Sequence, residues 1–283
     1  MIPAAFDYVR ASSLDEAIRL MAEKGDEAKL LAGGHSLIPM MKLRLATPAT
    51  LIDITGIPQL DAIRVDGNRF TIGALTKHAS LAASDALQKG ARALWDAANQ
   101  LGDPQVRNRG TIGGASAHGD PAADYPAVLL ALDATFTLVG RGGERRIGAS
   151  DFFRGMFDTA LGANEILTTI SFDAAPKSAY VKFRHPASHY AVVGAAAVLA
   201  VDGGKIGSAR VAITGVGDAP FRAGGVERAL AGLRAGDEKG VAAACAGAAS
   251  GQSARGDTFA SPTYRSAMAD VFAARAVSAA AAR

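Results

Sequence analysis

Two glycine pairs, each placed where a short apolar stretch stops, constrain this chain more than any other feature. Gly33-Gly34 follows Lys29-Leu30-Leu31-Ala32, which has the length and composition of a strand, and runs on into His35 and Ser36. Gly113-Gly114 follows Thr111-Ile112 and runs on into Ala115 and Ser116. Paired glycines allow positive φ and let consecutive backbone N–H groups converge on one concavity. Such a nest suits a pyrophosphate, and the hydroxyls of Ser36, Thr111 and Ser116 would add donors. Neither pair fits G-x-G-x-x-G, and neither has the lysine that follows the last glycine of a P-loop. The two common nucleotide folds are therefore not predicted. Taken alone, each pair reads as an ordinary loop corner.

The surroundings organise the chain. Ser13 and Glu16 have capping-box spacing and predict a helix with Leu14, Ala17, Ile18 and Met21 on one face, ended by Gly25. Leu51-Ile52-Asp53-Ile54 and Phe70-Thr71-Ile72-Gly73 read as strands. Thr76 to Gln100 reads as one helix with Leu81, Leu87, Leu94 and Trp95 in the core, and residues 102–110 as a polar loop. Thr135 to Val139 and Glu165 to Phe172 are strand-like, and Asp173-Ala174-Ala175-Pro176-Lys177 looks like a boundary. Beyond it, Tyr180 to Arg184, Ala191 to Val201 and Ile206 to Val216 predict an antiparallel meander with a hairpin at Gly203-Gly204. Alanine-rich helices follow, the last opened by Ser261-Pro262. Two domains are expected, 1–175 (subdivided near residue 56 into 1–56 and 57–175) and 176–283.

Composition narrows the function classes. With 49% hydrophobic and 20% charged residues, the 283-residue chain is globular. Its net charge of +3 comes from scattered basic residues, without the stripe that nucleic acid demands. The single cysteine, Cys245, lies in an alanine run and reads as a packed thiol; one cysteine makes no intrachain disulfide, all-cysteine zinc site or iron–sulfur cluster. No stretch approaches the roughly 20 apolar residues of a membrane span. No basic segment followed by an apolar run opens the sequence, so a cytoplasmic location is expected.

The residues flanking the glycines carry a resemblance. Ala32-Gly33-Gly34-His35-Ser36-Leu37-Ile38-Pro39, with Lys42-Leu43-Arg44-Leu45-Ala46 and Leu51-Ile52-Asp53-Ile54 behind it, resembles the first FAD loop of the medium subunits of molybdenum hydroxylases, the carbon monoxide dehydrogenase and xanthine dehydrogenase family. Asp103-Pro104-Gln105-Val106-Arg107-Asn108-Arg109-Gly110-Thr111-Ile112-Gly113-Gly114 resembles the second loop, and Gly119-Asp120-Pro121-Ala122-Ala123-Asp124-Tyr125-Pro126 its sequel. The similarity extends along the chain to Tyr264-Arg265.

That resemblance implies an α+β fold: a vanillyl-alcohol-oxidase-type (PCMH-type) FAD-binding domain of two α+β subdomains, then a C-terminal domain of antiparallel sheet and helices. It implies that Ala32, Gly33, Gly34, His35 and Ser36 bind the FAD phosphates together with Thr111, Ile112, Gly113, Gly114 and Ala115. Asp124 would hold the ribose, Leu101 and Leu167 would lie near the flavin, and Tyr190 beside the isoalloxazine ring. The family usually has asparagine where this chain has Ala115, so a side-chain amide is lost while the backbone donors remain. The implied complex hydroxylates a substrate at molybdenum in a large molybdopterin-binding subunit and passes electrons through two [2Fe–2S] clusters of a small subunit to this FAD. A quinone, NAD or oxygen would take them on, in a dimer of heterotrimers.

The remaining polar residues are weighed on their own. His35 is expected to contact cofactor, and His118 to be a hydrogen-bonded loop histidine. His185 and His189 are four apart, but Pro186 argues against one helix face and hence against a metal. Lys182 and Arg184 are either strand charges or donors to the flavin. No Ser-His-Asp set and no nucleophile stands out. Two rival functions remain: a free-standing FAD oxidase or reductase, which would need an acid–base group over the flavin, where only Tyr190 and the nearby histidines offer themselves, and a nucleotide-holding module without turnover.

Overall fold

The first helix starts where its capping residues predict. In the computed structural model, which describes residues 2–283, Leu14–Lys24 is helical and Ser13 Oγ accepts the Glu16 N–H at 3.2 Å. The Glu16 carboxylate turns back to the N–H and hydroxyl of Ser12 (2.8 and 2.7 Å), one residue earlier than a standard box. Ala17, Ile18 and Leu20 are buried, and Gly25 ends the helix at φ +56°. This helix joins strands Asp7–Arg10 and Ala28–Leu31, which flank Thr50–Asp53 in a three-stranded parallel sheet. Ligands of open α/β sheets collect beyond the carboxyl ends of strands. The segment 32–36 begins at such an end.

A five-stranded antiparallel sheet follows, ordered Ile63–Asp66, Arg69–Gly73, Glu165–Asp173, Thr135–Gly140, Gly143–Gly148. Its central strand comes last in the chain. The single helix expected over 76–100 is instead three, His78–Ala82, Asp85–Gly90 and Arg92–Gln100. Ser84 caps the second, accepting the Leu87 N–H at 3.3 Å, and Ala91 at φ −151° turns the corner into the third. The apolar spacing is helical within each piece, but these breaks reset the axis so that Leu81, Leu87 and Leu94 all reach one core. The loop expected over 102–110 contains a helical turn, Pro104–Arg107, capped by Asp103.

The expected meander is present as Ser178–Arg184, Ala191–Asp202 and Lys205–Thr214, with a fourth strand at Phe221–Arg222. Gly203 and Gly204 both have positive φ, as a two-residue hairpin turn of type I′ requires. Ser261 caps the helix Pro262–Ala281 by accepting the Tyr264 N–H at 3.2 Å. Val193, Ala195 and Ala197 pack with Ala269, Ala273 and Val277 of that helix, whereas Ala196, Val198 and Ala212 belong to the core of the preceding domain. The sheet is therefore buried on both faces, which is why Ala191 to Leu199 is a continuous apolar run of small residues and not an alternation. Cys245 is buried in the second of these cores, and burial pushes its thiol up to about 12.

Candidate functional site

The strand Ala28–Leu31 delivers the chain into the first glycine segment with its backbone donors free. Gly34 has φ +72°, and the N–H groups of Gly33, Gly34, His35 and Ser36 have no acceptor among the described residues. The segment leads into the helix Leu37–Lys42 and borders a cleft of about 410 Å³ that also contains Ile38, Lys42 and Arg109. The His35 ring is exposed, with Nδ1 3.0 Å from the Gly33 carbonyl oxygen. Four consecutive unpartnered donors beside two cations form a concavity for an anion.

The second segment is not the nest its sequence suggests. Gly113 and Gly114 lie at the start of the helix Ile112–His118, without positive φ. Their donors are used: the Gly113 N–H bonds the Ala74 carbonyl at 2.8 Å, and the Gly114 N–H bonds Thr111 Oγ1 at 3.1 Å. Thr111 keeps a free N–H, but Ile112 is fully buried. Ser116, expected as a donor, is also buried and gives its hydroxyl to the Ile112 carbonyl at 2.9 Å. These glycines serve close packing. A Cβ on Gly113 would stand 2.4 Å from Ala74 Cβ, and one on Gly33 would stand 2.3 Å from the Arg109 carbonyl oxygen. The two segments thus touch, and exposed Gly114 sits next to Ala32.

His78, which no motif marks, lies under this junction. Its N–H bonds the Gly110 carbonyl at 3.0 Å, and its Nδ1 is 3.0 Å from the Tyr125 hydroxyl. Burial, with the charges of His35 and Arg107 adding, pushes its ring down to about 3, so it is neutral at ordinary pH. The sequence signal was a histidine opening an otherwise apolar helical stretch.

A second cluster gathers where the two domains meet. Asp124 starts the helix Asp124–Ala131, is buried, and accepts from the Tyr180 hydroxyl at 2.5 Å and from Lys182 Nζ at 2.9 Å. Burial pushes the Asp124 carboxyl up, against the pull of Lys182 and Tyr180. Lys182, with a side chain only 1% exposed, also donates to the His189 carbonyl at 2.9 Å. It is no ordinary strand charge, whereas Arg184 donates to the Gln100 carbonyl at 3.1 Å. Tyr190 follows His189 and is 43% exposed; burial of its hydroxyl end and the charges of Asp120 and Asp124 push its phenol up.

The other expected residues fall as follows. Leu101 and Ala115 are half-buried, and the Leu101 carbonyl is taken by Arg107 Nη1 at 3.1 Å. Leu167 is 5% exposed, with its side chain in the core and its backbone in the central strand opposite Leu138. His118 ends a helix and packs its ring 5.0 Å from Phe157; it has no hydrogen-bond partner among the described residues, contrary to expectation. His185 and His189 share a tight turn in which His185 Nδ1 accepts the N–H groups of Ala187 and Ser188. Among the described residues, no three His, Cys, Asp or Glu side chains are grouped for a metal.

Fold and site together define a flavoprotein subunit. Residues 4–173 match the family "FAD binding domain in molybdopterin dehydrogenase", residues 178–280 match the "CO dehydrogenase flavoprotein C-terminal domain", and the chain belongs to this family. It is 42% identical to the carbon monoxide dehydrogenase medium chain of Hydrogenophaga pseudoflava, over 100% of this chain and 99% of that one. The solved structure of that carbon monoxide dehydrogenase superposes with a TM-score of 0.93, covering 100% of this chain and 99% of its counterpart. Quinoline 2-oxidoreductase from Pseudomonas putida 86 superposes at 0.94 with 30% identity, over 100% of this chain and 99% of that one. The caffeine dehydrogenase beta subunit of a Pseudomonas species is 31% identical over 84% of this chain and 82% of its own length. The free N–H row, the positive φ of Gly34 and the Lys42–Arg109 pair fit the pyrophosphate of FAD.

Proposed function

We propose that this chain is the electron outlet of a cytoplasmic molybdenum hydroxylase, assembled with a large molybdopterin-binding and a small [2Fe–2S] subunit as a dimer of heterotrimers. The observation that carries its part is the row of four unpartnered donors from Gly33 to Ser36. They and the Thr111 N–H hold the FAD phosphates, while Lys42 and Arg109 offset their charge. Asp124 takes the ribose, Lys182 donates towards the ring end, and Tyr190 covers the ring. Held there, FAD would supply the chemistry that links one-electron clusters to an external acceptor such as a quinone, NAD or oxygen.

The chain's own residues support a relay over a free-standing oxidase. The candidates for acid–base work are poorly suited to it: Lys182 is held in an ion pair, and the Tyr190 phenol is shifted further from neutrality. The relatives named for carbon monoxide, quinoline and caffeine share this subunit, which supports a substrate chosen elsewhere in the complex. The test is purification through a tag on this chain. Co-purifying molybdenum, iron and a flavin absorbance that bleaches on reduction by the complex's substrate are expected. Full-rate turnover by the chain alone would establish the free-standing oxidase instead.

A further inference from the structure

Arg265 opens the C-terminal helix and is 8% exposed, far from both glycine segments in the sequence. Its Nη1 donates to the carbonyls of Val192 (2.5 Å) and Gly215 (2.7 Å), and its Nη2 to Asp257 Oδ2 at 2.6 Å. Those two carbonyls belong to backbone that grips the preceding domain. The Gly215 N–H bonds the Pro121 carbonyl at 2.8 Å, and the Thr214 hydroxyl lies 2.8 and 2.9 Å from the carbonyls of Pro121 and Ala123. The Ala191 N–H bonds the Ala122 carbonyl. So Arg265 fixes the strand that starts right after Tyr190 against the turn that ends at Asp124. Asp124 in turn holds Lys182, and Lys182 holds the carbonyl of His189. Gly215 sits at φ +84°, and a Cβ there would meet the Val192 carbonyl oxygen at 2.6 Å, so the two acceptors are pressed together where one guanidinium nitrogen, Nη1, reaches both.

We infer that Arg265 is a positioning residue for the ring end of the cofactor site, acting through the Val192 and Gly215 carbonyls on Tyr190 and, through the His189 carbonyl, on Lys182. The inference rests on the FAD reading above. It extends the C-terminal domain's part in the site from Lys182 and Tyr190 to the helix Pro262–Ala281. The phosphate end, built from Gly33 to Ser36, is independent of this fork.

The test uses the assembled complex, stripped of flavin and titrated separately with FAD and with ADP. Arg265→Met is expected to weaken FAD at least tenfold and ADP less than twofold, and to shift the visible circular dichroism of bound flavin. Arg265→Lys should recover part of the loss, since one ammonium can serve the two carbonyls that Nη1 serves but not Asp257 as well. Should the methionine variant fail to assemble, Thr214→Val removes the hydroxyl proton that Pro121 and Ala123 share in the same clamp, with little change of shape, and an FAD-only loss is again expected. Equal losses for FAD and ADP, or no loss in either variant, overturn the inference. A wild-type complex that binds neither nucleotide overturns the FAD reading itself.

Discussion

The two glycine pairs look alike in sequence and differ in physics. At Gly33-Gly34 the backbone leaves four donors in a row without partners and turns through a positive φ. At Gly113-Gly114 the donors are already bonded, the backbone is helical, and Gly113 is pressed onto Ala74. Gly33 and Gly113 both keep room for the protein, but the first pair leaves its donors to a ligand and the second spends them within the fold. The contrast shows that a glycine is read by what its missing Cβ would meet, and a loop by where its N–H groups go.

Substitutions test that contrast. The largest effect is expected at Gly113→Ala, where the new methyl meets the Ala74 side chain at 2.4 Å and its carbonyl oxygen at 2.6 Å. Both partners are buried, so the loss should exceed about 3 kcal/mol and appear as failed assembly or a collapse of the melting temperature. A stable, well-folded Gly113→Ala complex would erase the packing role. Gly33→Ala meets the Arg109 carbonyl oxygen at 2.3 Å at a half-buried position, so the two segments must shift apart to admit the methyl. Its complex should assemble yet carry less than about a tenth of its FAD, an effect of more than about 1.4 kcal/mol on binding. Normal flavin content would separate the two segments functionally.

Acid should distinguish the segments next. Folded His78 stays neutral down to about 3, while the unfolded residue titrates near 6.5. Between these values the unfolded chain binds the extra proton, so stability falls as pH drops from 6.5, with a slope approaching about 1.4 kcal/mol per pH unit. Above 6.5 the term vanishes. Denaturant titrations of His78→Gln should lack that slope, and an unchanged acid profile would remove His78 from the account. The smallest effect is expected at Gly114→Ala. A helical glycine gains roughly 0.5–1 kcal/mol on becoming alanine, offset here by a methyl 2.8 Å from the capping Thr111 Oγ1. The melting temperature should barely move while FAD affinity drops a few-fold. Unaltered affinity would take Gly114 out of the site.

Much of the fold was legible because its signals are local. Ser13 and Ser261 each cap a helix within four residues of sequence, and Gly203-Gly204 sets its own hairpin. The split of residues 76–100 into three helices was not legible, since the corner at Ala91 depends on packing; Gly90 lies so close to the Phe70 ring that a Cβ would be 2.7 Å from it. Of the site, the motif residues were expected from resemblance, and the structure brings Gly33 against Arg109 and Gly110, and Ala32 beside Gly114. The state of Gly113, Gly114 and Ser116 was misread because a dipeptide does not say whether its donors are already bonded. His78 and Arg265 escaped a functional reading because their partners, Tyr125 and the Val192–Gly215 carbonyls, are remote in sequence.

The order of the five-stranded sheet has a consequence for how the protein is made. Glu165–Asp173 inserts between Arg69–Gly73 and Thr135–Gly140, pairing Thr169 with Gly73 and Ile170 with both Ile72 and Phe136. On the ribosome, at roughly 5–20 residues per second, two hairpins therefore wait for several seconds with open edges before the strand that joins them emerges. Open edges of this kind invite pairing with other chains. The floor under the second glycine segment, where the Thr168 carbonyl accepts the Ala74 N–H, closes only then. Nascent chains lacking that strand should be the ones that chaperones hold and proteases remove.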